Sequence, residues 1–127
     1  MSFELLKRRA LSFLRDARFD LEHGDYDLTL FHVDQFIQLY SKYLIYKKIG
    51  DYPKTHGIVR LLRELSRIYD NCGLKDIINN YLETLYLIEE SYISSRYLPR
   101  EYDRELALKI LEFANKIYEV FECLEKH

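Results

Sequence analysis

Apolar residues recur at steps of three and four along nearly the whole chain, the spacing of helices that bury one side. Phe3, Leu6, Ala10, Phe13, Ala17 and Leu21 form the first such stripe, with Lys7, Arg8, Arg15, Asp16 and Asp20 opposite. Gly24 supplies a stop for this helix, and Asp25 can cap the next. The second segment carries two stripes, Leu28, Phe31, Leu39, Tyr43 and Tyr46, and Leu30, Val33, Ile37, Tyr40 and Leu44. A helix apolar on two sides is buried on two sides. Between its stripes runs a narrow polar line, Asp34, Gln38 and Lys42, at four-residue steps, with His32 and Gln35 nearby.

Gly50-Asp51-Tyr52-Pro53 breaks the second helix, and Ile58, Leu61, Leu62, Leu65 and Ile68 mark a shorter third one ending at Asn71-Cys72-Gly73. A fourth helix is predicted from Leu74 through Ile78, Tyr81, Leu85, Ile88 and Tyr92 to about Arg96, where Pro99 turns Leu98 out of helical geometry. Asp103 opens the fifth, with Leu106, Ile110, Phe113, Ile117, Phe121 and Leu124 inward. The fold class expected is all-α: an antiparallel up-and-down bundle of five helices, four long and one shorter, in a single domain over residues 1–127.

Composition narrows the function. The 127 residues are 48% hydrophobic and 31% charged, a globular balance that argues against disorder. No apolar run approaches the ~20 residues of a membrane span, and the N-terminal residues lack the order of a secretory signal. A net charge of −2 offers no field for polyanions, so nucleic acid is not an expected partner unless a local patch holds it. Cys72 and Cys123 stand far apart in sequence and in no C-x-x-C arrangement, which argues against a zinc site, a redox dithiol or a disulfide framework. They read as buried thiols, and a cytoplasmic location is expected. Twelve tyrosines and no tryptophan place many rings with polar tips in the core and at interfaces.

Three stretches carry a resemblance. The first is Asp16 to Asp27, DARFDLEHGDYD. The second is Phe31-His32-Val33-Asp34-Gln35 through Lys42, followed by Tyr52-Pro53-Lys54-Thr55-His56 and Leu61-Leu62-Arg63-Glu64-Leu65. The third is Tyr92-Ile93-Ser94-Ser95-Arg96-Tyr97-Leu98-Pro99. In this order and spacing they resemble the HEPN domain, across nearly the whole chain. The resemblance implies a helical bundle, a homodimer, a nucleotide such as ATP or GTP as ligand with no resident cofactor, and a separate minimal nucleotidyltransferase as partner in a toxin–antitoxin-like pair. Members often carry two adjacent glutamines, small residues and a glutamate in the second helix; Asp34, Phe36 and Gln38 depart from that pattern. Ribonuclease members place a histidine after four to six residues beyond an arginine between the last two long helices, but Arg96 is followed there by Glu101, Tyr102 and Asp103. Arg18 and His23 meet the spacing by chance in the wrong helix. The expected protein is therefore non-catalytic; the alternatives are a ribonuclease toxin with an altered centre around Arg96 and Tyr102, and a homodimeric scaffold without ligand.

The expected ligand-binding residues are Lys54, His56, Tyr92, Ser95, Arg96, Tyr97, Gln38 and Lys42. Lys54 and His56 precede the third helix, whose first N–H groups can receive a phosphate; alternatively Thr55 caps that helix and His56 packs against the second. Tyr92 and Arg96 share a helix face, suited to stacking a base and holding a phosphate; alternatively Arg96 pairs with an acid such as Glu101. The Asp34–Gln38–Lys42 edge either binds a ligand or subunit or is a solvated strip. Asp20, Glu22, His23, Asp25 and Asp27 are oxygen-rich, but their spacing lacks the calcium-loop pattern, so turn and capping roles are expected and no metal site.

Overall fold

The computed structural model describes residues 3–97 and 102–127. The first stripe folds as α1 (Glu4–Glu22), and α2 (Tyr26–Ile49) returns along it after a turn at Gly24, whose φ of 77° suits glycine. Asp25 occupies the N-cap position of α2, but its side chain makes no capping bond; its backbone carbonyl accepts from the Thr29 N–H and hydroxyl instead. Gly50, at φ 77°, closes α2 through its N–H to the Tyr46 carbonyl.

Beyond lie α3 (Ile58–Ile68), α4 (Leu74–Asn80), α5 (Leu82–Tyr97) and α6 (Arg104–Glu125). The described residues are helices joined by turns, with no strand. They hold six helices rather than five, because the predicted fourth helix is two. Tyr81, at φ −120° and ψ 27°, interrupts it. Asn79 and Asn80 just ahead are weak helix formers that surrender the axis readily. The Tyr81 ring turns onto Phe113 of α6, 5.0 Å between centroids, and its hydroxyl receives Lys116 Nζ at 3.0 Å. At α6, Asp103 caps as expected, accepting the Leu106 N–H at 2.9 Å.

Helix α2 packs against α1, α3, α5 and α6. Leu30, Val33, Phe36, Ile37, Tyr40, Leu44 and Ile45 vanish from solvent between those neighbours. Tyr40 stacks on Phe121 of α6 at 4.7 Å, and Tyr69 donates its hydroxyl to the Leu44 carbonyl at 2.9 Å. The tyrosines divide as their amphipathic chemistry suggests: Tyr40, Tyr43 and Tyr69 are core, whereas Tyr86 is exposed. No helix among the described residues is long and apolar enough to cross a membrane.

The cysteines correct the sequence reading. Cys72, in the turn between α3 and α4, and Cys123, in the last turn of α6, are joined in a disulfide across 51 residues. Distance along the chain is no guide here, since α6 returns to lie where that turn projects. The turn presents Cys72 in the left-handed region, at φ 61°, just before Gly73 at φ 74°.

Candidate functional site

The polar line on α2 is enclosed. Asp34 is fully buried, and only 3% of Gln38 and 7% of Lys42 remain exposed, so the solvated-strip reading is overturned. The reason is the width of the apolar stripes on either side: packed against neighbours, they bring the next helices down over the strip between them.

Asp34 Oδ2 accepts from Gln38 Nε2 at 2.7 Å and from Gln35 Nε2 at 3.3 Å, while Oδ1 has no hydrogen-bond partner. Burial pushes the carboxyl up to about 8, against the lowering effect of the two amides; the nearby Glu89 charge adds to the rise. At neutral pH Asp34 is mostly protonated and so carries a hydroxyl donor as well as an acceptor. Gln38 passes the polarity outward, its Oε1 lying 3.3 Å from His56 Nδ1. The His56 ring is parallel to Tyr92 of α5, 5.9 Å between centroids and 9° between planes, and Tyr92 lies against Phe31 at 6.2 Å. His56 thus packs against α2, as one of its two expected roles required.

Lys42 closes the other end of the line. Its Nζ sits 5.7 Å from the Tyr52 ring centre, a cation–π contact. Burial lowers its pKa, and no carboxylate pairs with it among the described residues. Lys54 stands exposed in the connection from α2 to α3.

The N-terminus of α3 has an occupant that sequence patterning did not reveal. The Glu89 carboxylate reaches across from α5 and accepts the N–H groups of Ile58 and Val59; burial nevertheless raises its pKa, with these bonds opposing the rise. Thr55 does not cap the helix itself: its hydroxyl accepts the N–H of Gly57, one residue earlier, at 3.2 Å. Gly57 permits the arrangement, since a Cβ there would stand 2.5 Å from Glu89 Oε1. The α3 donors that could receive a phosphate are therefore held by a carboxylate of the protein.

Helix α5 continues from Tyr92 through Ser95, Arg96 and Tyr97; the side chains of these three lie outside the described residues, as does Glu101. The structure thus brings together Gln38, His56 and Tyr92, with Lys42 on the same α2 line. Asp34 and Glu89, absent from the expected ligand set, belong beside them. Glu89 offered no signal in sequence because its role depends on the approach of α5 to a distant turn.

Elsewhere the chance pair separates, with Arg18 bonded to Asn115 Oδ1 at 2.9 Å and His23 turned back to the Phe19 carbonyl. In the oxygen-rich turn the expected roles hold only in part: Asp20 is buried and bonded to His32 Nδ1 at 2.5 Å, and the side chain of Asp25 makes no capping bond.

Fold and seam together define an all-helical bundle protein that encloses a polar line between its helices. The chain belongs to the HEPN family: the profile of the HEPN domain matches residues 3–124. Its fold is also similar to that in the crystal structure of TT1696 from Thermus thermophilus, with a TM-score of 0.76 at 24% identity, covering 96% of this chain and 97% of that one. No curated protein matches the sequence.

Proposed function

We propose that the protein is a non-catalytic, dimeric binding module that takes a nucleotide such as ATP or GTP beside the α2 seam. It works with a separate minimal nucleotidyltransferase in a toxin–antitoxin-like pair. The observation that carries the nucleotide half is Lys42, whose side chain runs through the buried seam while no carboxylate pairs with its ammonium among the described residues. Its stem lies along the seam and its partly desolvated ammonium is left unneutralised, a charge that a phosphate group reaching it from solvent would complement. The parallel His56 and Tyr92 rings offer a stacking edge for the base, while Gln38 and Asp34 supply polar groups behind them. Lys54, Ser95, Arg96 and Tyr97 join the proposed site through the family resemblance, Arg96 one helical turn beyond Tyr92.

Family membership supports the dimer and the transferase partner. The non-catalytic reading rests on the positions where ribonuclease members keep histidine: Asp103 is committed to capping α6, and Tyr102 is buried.

Calorimetric titration with ATP, GTP and a short RNA tests the proposal. One nucleotide should bind per chain, and Lys42→Met should weaken it by about tenfold or more, the loss of roughly 1.4 kcal/mol. No heat and no thermal shift at millimolar nucleotide would overturn the ligand half and leave a protein-binding role. Growth arrest on expression, abolished by Arg96→Ala but not by Arg18→Ala, would replace the proposal with the ribonuclease reading.

A further inference from the structure

At the end of the bundle away from the turn at Gly24, Cys72, Cys123 and His127 each present one ligand atom, all three within 4.8 Å of one another. They come from two separate pieces of chain. Cys72 projects from the α3–α4 turn, whereas Cys123 and His127 stand four residues apart, the spacing that puts side chains on one helix face. Helical geometry persists far enough to keep them there: Lys126 is in the right-handed helical region, and the His127 N–H donates to the Leu124 carbonyl at 3.0 Å. Lys48 Nζ fixes the same residue by donating to the His127 carbonyl oxygen at 2.6 Å.

We propose that this trio is a redox-gated site for a thiophilic divalent cation such as Zn2+, empty while the cysteines are joined and competent once they are reduced. Reduction by a dithiol transfers two electrons and two protons to the disulfide, giving two thiols and leaving the reductant as its own disulfide. The cation then displaces both thiol protons and is held by two thiolate sulfurs and one imidazole nitrogen. Its 2+ charge is balanced by the two thiolates, and water takes the fourth tetrahedral position. With Zn–S bonds of about 2.3 Å, tetrahedral sulfurs stand about 3.8 Å apart. Side-chain rotation can supply that separation without moving the helices.

The ligands stay near one another without the covalent bond because their neighbours are anchored independently. Tyr69 and Leu74, flanking Cys72, are 2% and 1% exposed, and the Tyr69 hydroxyl is bonded to α2. Phe121 and Leu124, flanking Cys123, are fully buried. In the oxidised state the sulfurs carry no thiolate charge to attract a cation, so one bond decides between a covalent staple and a metal clip.

The test is titration of the full chain with Co2+ alone, oxidised and after reduction by a dithiol that is then removed anaerobically, followed by displacement with Zn2+. Reduced protein should take up one Co2+ per chain, with thiolate-to-cobalt charge-transfer absorption and the strong d–d bands of a tetrahedral site; oxidised protein should show neither. His127→Ala, a change at an exposed residue, should keep the charge-transfer band but weaken binding by about tenfold or more. Cys72→Ser should lose half the thiolate absorption. Absence of the charge-transfer band in reduced protein overturns the proposal, as does an unchanged affinity and spectrum in His127→Ala. Circular dichroism covers the case in which reduction loosens the fold: helicity restored by stoichiometric metal supports the site, and helicity lost beyond metal rescue overturns it.

Discussion

Two polar clusters are built into the same helix and treated in opposite ways. On the face of α2 that meets α6, Tyr40 donates to Glu125, whose carboxylate also holds Lys7 of α1 at 3.0 Å. Lys47 and Lys48 reach the backbone carbonyls of Glu125 and His127. Three helices meet there, and burial together with the Glu125 charge pushes the Tyr40 hydroxyl far above its ordinary pKa, so it remains a donor. On another face of the same helix Asp34 is fully buried, yet its Oδ1 lacks a partner, and the ammonium of Lys42 lacks a counter-ion among the described residues. A polar cluster that only holds a fold tends to satisfy itself. One left incomplete is the better candidate for receiving something from outside.

The contrast can be broken at its strongest point first. The Cys72–Cys123 bond closes a 51-residue loop at the self-satisfied end, and chain entropy puts its contribution at about 4 kcal/mol. Urea denaturation of metal-free reduced protein, or of Cys123→Ser, should show a loss of that order; a loss under about 1 kcal/mol would show that the end is held by packing alone.

Next comes the pH dependence of the seam. The folded-state pKa of Asp34 is raised to about 8, while an unfolded aspartate titrates at about 3.9. Between these values the folded protein keeps a proton that the unfolded chain has released. Stability from this residue is therefore greatest at the acid end, falls as pH rises, and levels off above about 8. Asp34→Asn keeps an acceptor for Gln38 and a donor in place of the hydroxyl. It should remove a slope of about 1.4 kcal/mol per pH unit between pH 5 and 7, measured by denaturation at each pH. Parallel wild-type and variant curves would mean that Asp34 is ionised in the fold.

Glu125→Ala should cost about 2 kcal/mol, because it strands the buried Tyr40 hydroxyl and frees Lys7. Lys42→Met should do the reverse on a smaller scale. Without ligand it should stabilise the protein by no more than about 0.5 kcal/mol, since a partly desolvated, unpaired ammonium that solvent still screens gives way to an apolar chain of similar length. A destabilisation by Lys42→Met would mean that its charge is already compensated, and the comparison between the clusters would fail.

The sequence made the helices legible because their stops are local. Gly24 and Gly50 adopt positive φ where α1 and α2 stop, Gly73 does so where α4 starts, and Asp103 caps where its spacing predicts. The split at Tyr81 was hidden because Ile78, Leu85 and Ile88 preserve helical spacing across it. The enclosure of Asp34, Gln38 and Lys42 was half visible: two apolar stripes told that α2 was covered twice, but not that the covers met over the strip between. Glu89 and the disulfide were not legible, since both depend on segments meeting across loops. Of the residues the seam gathers, Gln38 and Lys42 stand out in sequence by their four-residue polar spacing, His56 by its place ahead of the third helix and Tyr92 by its motif; Asp34 is visible as part of the line but unassigned.

Because the central turns of α2, between Thr29 and Ile45, are wrapped by four other helices, their backbone amides reach water only through large openings of the bundle. They should be the slowest in the protein to exchange with deuterium. Whatever settles beside the seam meets a surface already fixed in shape, so association should involve little rearrangement of α2 itself.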